Sequence, residues 1–104
     1  MDRVKILKDL LAAQPGDSFI QHALALEYIK TGDELEAKRL FENVLANDDK
    51  YIGSYYHLAK LLERCEEKEA AIKWYQAGML KAKEAGDQHA YNELLAAYED
   101  LIDL

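Results

Sequence analysis

Three histidines and one cysteine are the residues best equipped for chemistry in this chain, and their spacing argues against it. A helical metal site sets two ligands one turn apart, about four residues in sequence. Neither His22 nor His57 has a histidine or cysteine at that distance, and the two stand 35 residues apart on separate predicted helices. Cys65 follows His57 by two helical turns, too far for an imidazole to activate its thiol. Glu66, Glu67 and Glu69 form a solvated charge run rather than an acid–base pair, and the five glycines are isolated corners rather than a phosphate-cradling loop. The expectation is a chain that is not an enzyme, with no catalytic residues, no metal and no cofactor.

The composition narrows the partners. Thirteen basic and 20 acidic residues give a formal charge of -7 over 104 residues. No basic cluster opposes it, so a phosphate backbone or an anionic lipid surface would be repelled. Nucleic acid and membrane are therefore not expected as partners. No apolar run reaches the roughly 18 residues of a membrane span. The N-terminal stretch lacks the apolar core and small-residue cleavage site of a secretory leader. With a single cysteine there is no internal disulfide, and the cytoplasm is the expected compartment.

One proline, five glycines and many Ala, Leu, Glu and Lys favour long helices. Val4, Leu7, Leu10 and Leu11 predict a helix over 3–13, stopped at Pro15-Gly16. Asp17 or Ser18 caps a second helix over 18–30, which Thr31-Gly32-Asp33 ends. Further apolar stripes predict helices over 35–46, 52–65 and 68–84, and a last one from about 88 after Gly86-Asp87. Nothing alternates well enough to be a strand.

These helices repeat. A shift of 34 residues carries Leu24 onto Leu58, Ala25 onto Ala59, Ala37 onto Ala71, Phe41 onto Tyr75 and Leu45 onto Met79. Leu7, Leu10 and Leu11 fall 34 before Phe41, Val44 and Leu45. Alanine at the small positions lets paired helices approach, while the bulky positions fill the space between neighbours. A repeated helix pair of this length is the mark of an antiparallel helical solenoid.

The pattern resembles the tetratricopeptide repeat, a 34-residue helix-turn-helix unit. Leu24, Ala25, Tyr28, Gly32, Ala37 and Phe41 occupy its positions in repeat 1 (18–51), and Tyr55, Leu58, Ala59, Leu62, Ala71, Tyr75 and Gly78 in repeat 2 (52–85). Residues 3–17 look like the second half of a truncated repeat, and 87–104 like a closing helix displaced by about two residues from the strict register. The resemblance implies one all-α domain over 1–104, about six helices in a right-handed superhelical stack. Two positions depart from the family. Gln21 stands where a large residue is usual, suggesting an imperfect stack there. Glu66 replaces the turn glycine of repeat 2, which predicts a less sharp or less ordered turn.

Members of this family act as scaffolds or adaptors, gripping a peptide or partner protein on the concave face of the first helices. Carried onto this chain, that face comprises Phe19, His22, Leu26, Ile29 and Lys30 from repeat 1 and Tyr56, Lys60, Glu63 and Arg64 from repeat 2. Phe19, Leu26 and Tyr56 would give apolar contact; Lys30, Lys60 and Arg64 would meet a carbonyl or an acidic group. The lysine–asparagine clamp with which some members hold a C-terminal carboxylate is not reproduced by His22 with Leu26 or Tyr56 with Lys60. The alternative is a structural subunit or a self-associating homodimer without a peptide groove. Trp74, equivalent to Leu40, is expected to pack between helices.

Overall fold

The computed structural model describes residues 2–103, so Met1 and Leu104, the ends of the predicted domain, lie outside the described residues. The described residues form helices α1 (Arg3–Ala13), α2 (Ser18–Thr31), α3 (Glu34–Asn47), α4 (Ile52–Arg64), α5 (Lys68–Ala85) and α6 (Gln88–Ile102), and no strand. The predicted limits hold to within one or two residues. The helices gather into two compact units, one through Asp48 and one from Asp49. In the first, α2 packs on α1 and α3; in the second, α5 packs on α4 and α6.

Short polar residues start these helices by accepting backbone N–H groups that have no intrahelical partner. Asp17 Oδ1 accepts from Ile20 N–H at 2.9 Å, and Asp87 Oδ1 from Ala90 N–H at 3.0 Å. Asp2 and Asp33 cap α1 and α3 in the same way.

Three helices end alike. Past α2, α4 and α5 the chain turns through a residue of positive φ: Gly32 (86°), Glu66 (60°) and Gly86 (71°). In each case the next N–H reaches back five residues, from Asp33 to the Tyr28 carbonyl at 2.8 Å, from Glu67 to Leu62 at 2.9 Å and from Asp87 to Ala82 at 2.9 Å. This is the hydrogen-bond pattern of a Schellman turn. The expectation of a looser turn at Glu66 is therefore corrected. The hydrogen bonds and the short link to α5 hold Glu66 in a conformation that its Cβ resists at a cost of about 1–2 kcal/mol. Glu66→Gly is expected to stabilise the protein by about 0.5–1 kcal/mol, part of the relief being lost to the greater freedom of an unfolded glycine. Urea midpoints of the two proteins check this; an unchanged or lowered midpoint would contradict it.

The repeat register is also the burial register. Ala25, Ala37, Phe41, Leu58, Ala59, Ala71 and Tyr75 are fully buried, and Leu24 nearly so. Gln21, expected to mark an imperfect stack, is instead buried and bonded at both ends. Its amide donates to the Pro15 carbonyl at 2.7 Å and accepts from the Asn43 side chain at 2.9 Å. A polar side chain thus does by hydrogen bonding what a large apolar one would do by volume, joining the α1–α2 corner to α3. Trp74 is half-buried, its ring centroid 5.9 Å from that of Tyr55 on the paired helix, as its packing role predicted.

Candidate protein-binding faces

On α2 the residues Phe19, His22, Leu26, Ile29 and Lys30 recur at spacings of three and four, so they share one stripe. Phe19 is the most open of the apolar ones, with 69% of its surface exposed. Leu26 and Ile29 are half-buried. The half-buried His22 packs its ring edge-on against Phe41 at 5.5 Å, which turns it partly into the α2–α3 seam. Lys30 lies 3.5 Å from Glu27, a carboxylate that sequence reasoning passed over.

Glu27 is nearly buried and also bonds the Arg3 guanidinium of α1 at 2.7 Å. That bond, assisted by Lys30, holds its carboxyl below the ordinary value of 4.5 against the opposing effect of burial. A depressed carboxylate stabilises the fold above its unfolded pKa, and the contribution is lost as pH falls through the folded one. The stability difference between wild type and Glu27→Gln is therefore expected in full at neutral pH and should shrink as pH falls below the ordinary carboxylate value of 4.5. Denaturation midpoints across that range check the sign; a gap that widens on acidification would contradict it.

On α4, Tyr56, Lys60 and Glu63 meet as a group. Lys60 Nζ stands 5.8 Å from the centre of the Tyr56 ring and 3.8 Å from the Glu63 carboxylate. Glu63 accepts a short hydrogen bond from the buried Tyr75 hydroxyl of α5. Burial and this bond push the phenol's pKa far above its ordinary range, so Tyr75 remains a donor. Glu63 is thus tied to the core, and Lys60 to Glu63 and Tyr56. Arg64 is exposed at the end of α4, as is Cys65 just beyond it.

Two depressions adjoin these helices. Within the first unit, a groove of about 670 Å³ has Leu11, Leu24, Tyr28 and Leu40 among its lining residues, with Arg39 and Glu36 paired beside it. Leu24 and Tyr28 lie on the opposite side of α2 from the Phe19 stripe. Within the second unit, a groove of about 250 Å³ runs between α4 and α6, lined by Ile52, Gly53 and Tyr56 and by Ala90, Glu93 and Leu94. Only Tyr56 of this lining was predicted. The two-residue displacement of the closing helix carries Leu58 onto Leu94 and makes the start of α6 the counterpart of the start of α4, and from that offset the α6 side of the groove could have been read.

Among the described residues, no group of three or more His, Cys, Asp or Glu could hold a metal ion, and no helix is long and apolar enough to cross a membrane. Repeated antiparallel helix pairs, small residues at the close contacts and open stripes on the first helices define a helical-repeat protein. The solved structures agree. A tetratricopeptide repeat domain protein from Salinibacter ruber, known from solution NMR, is 39% identical, with a TM-score of 0.83 over 86% of this chain and 91% of its own. Its crystal structure gives a TM-score of 0.81, covering 85% of this chain and 98% of that one. A protein from Bordetella parapertussis, 21% identical, shares the fold at a TM-score of 0.84 over 97% of this chain and 88% of its own. No family model and no curated protein matches the sequence. On the Salinibacter relationship, the chain belongs to the tetratricopeptide repeat family. Its fold is that of a protein-interaction module, an architecture that is typically a non-catalytic scaffold.

Proposed function

We propose that the chain is an adaptor that docks a segment of a partner protein on the open stripes of its first-position helices, through Phe19 and Leu26 on α2 and Tyr56 on α4. The observation that carries this reading is Phe19: a phenylalanine 69% exposed on the same helix stripe as half-buried Leu26 and Ile29 is apolar area left in water that a partner would cover. His22, Ile29, Lys30, Lys60 and Arg64 border the contact, while Glu63 holds Tyr75 and shapes the face from behind. Residues 3–17 act as a half-repeat and α6 as a closing helix, with Gln88, Asn92 and Glu99 exposed along it. The proposed setting is a reducing compartment such as the cytoplasm, where the exposed Cys65 remains a thiol.

A pull-down from the source cell's soluble extract tests the reading, comparing wild type with Leu26→Glu/Tyr56→Ala shown by circular dichroism and sedimentation to keep its helices and oligomeric state. A partner lost with the variant supports docking on these stripes. A partner retained equally, or capture of this chain alone, would move the function to the opposite groove or to self-association.

A further inference from the structure

The groove between α4 and α6 joins an apolar floor to an acidic side. Ile52 and Tyr56 come from α4, Ala90 and Leu94 from α6, and Gly53 lines the groove without a side chain. Asp87 and Glu93 line the same groove from the α6 side. Asp100 follows Glu93 by two helical turns on that side of α6 and, with Glu63 of α4, acts electrostatically on the Tyr75 phenol. Lys60 is engaged by Glu63 and the Tyr56 ring. His89 also lines the groove, 3.4 Å from Glu93, and one oxygen of Asp87 accepts from Ala90 N–H, so each acid keeps its second oxygen for a ligand. Burial pushes the pKa of His57 below its ordinary value, with Glu93 opposing, so it adds no charge to this side at neutral pH.

The volume, about 250 Å³, is below the usual range for a small-molecule pocket and suits one long side chain. A leucine would cover the floor but strip water from the carboxylates above it. An anionic group would be repelled. A lysine or arginine lays its methylene stem along Ile52, Tyr56 and Leu94 while its head reaches Asp87 and Glu93, satisfying both parts of the groove. The Tyr56 ring already attracts one ammonium group, that of Lys60.

We infer that the α4–α6 groove is the subsite for a basic side chain of the docked segment, so that the partner is a peptide carrying Lys or Arg beside an apolar residue. This rests on the docking proposed above and adds its chemistry.

The test selects a phage-displayed random peptide library on the full chain, then measures the enriched peptides as blocked synthetic probes. The expected result is enrichment of Lys or Arg next to an apolar residue, with amide shifts at Gly53, Tyr56, Ala90 and Glu93. Affinity should fall at least about tenfold for Glu93→Lys and for probes with Glu in place of the basic residue. Glu93→Gln, which removes the negative charge without adding a positive one, should weaken binding less, and both variants must retain wild-type circular dichroism. Enriched peptides that shift the same amides without a basic residue, or bind Glu93→Lys unchanged, would overturn the basic subsite and leave docking on α4 standing. No enrichment, or shifts confined to other surfaces, would overturn both.

Discussion

Gly78→Ala is expected to destabilise the second unit by about 1–2 kcal/mol, although alanine is the better helix former by about 1 kcal/mol. Gly78 is buried in the middle of α5, where α4 and α6 both approach it. A Cβ built there stands 2.6 Å from Tyr55 Cβ, 3.0 Å from Tyr55 Cγ and 3.2 Å from Leu94 Cδ1. The two tyrosine atoms are anchored close to the α4 backbone, so relief requires a helix to move rather than a side-chain tip to swing. That overpacking costs about 1–3 kcal/mol and exceeds the gain in helix propensity. Gly78→Val adds two more methyl groups to the same space and should cost more than about 3 kcal/mol, a large fraction of the stability of a small domain. Trp74, the sole tryptophan, lies on α5 and reports the transition in urea by fluorescence. An alanine variant as stable as wild type would mean that the helices do not approach as closely as described.

Tyr75→Ala should destabilise by about 3–5 kcal/mol, and Tyr75→Phe by about 1–2 kcal/mol. The ring is fully buried, packed edge-on against Tyr56 at 6.4 Å, and its removal leaves a cavity bounded by two helices. The phenylalanine variant keeps the volume and removes only the hydrogen bond to Glu63. Glu63 then keeps Lys60 and some access to water, which limits the loss. Adding Glu63→Ala, which removes the acceptor, to Tyr75→Phe should cost less than the two single changes summed, because each removes the same bond. Strict additivity in that double-mutant cycle would contradict the coupling.

Much of the fold was legible because its signals are local. Asp17, Gly32, Asp33, Gly86 and Asp87 mark helix ends by their own backbone preferences, and alanines 34 residues apart reveal where helices touch. What escaped depends on contacts distant in sequence. Glu66 looks like a poor turn residue until the bond from Glu67 to Leu62 is seen to hold it in place. Gln21 looks like a gap until Asn43 and Pro15 are found at its two ends. Glu27 drew no notice because its partner Arg3 lies on another helix. The candidate faces were legible as stripes but not as chemistry: Glu63 and Lys60 read as contacts for a partner, whereas Tyr75 and Tyr56 already engage them. The α4–α6 groove was missed because the predicted face drew only on the two full repeats, although the two-residue displacement of the last helix was visible.

Site-specific photocrosslinking tests the central claim most directly. A benzophenone side chain would be placed singly at Phe19, Tyr56, Ala12 and Leu80, in protein bound to the partner captured from extract. Docking on the first-position stripes predicts covalent capture at 19 and 56, and little at 12, beside the opposite groove, or at the exposed 80 on α5. Capture at 12 or 80 with none at 19 and 56 would contradict the account and place the partner on the second-position helices.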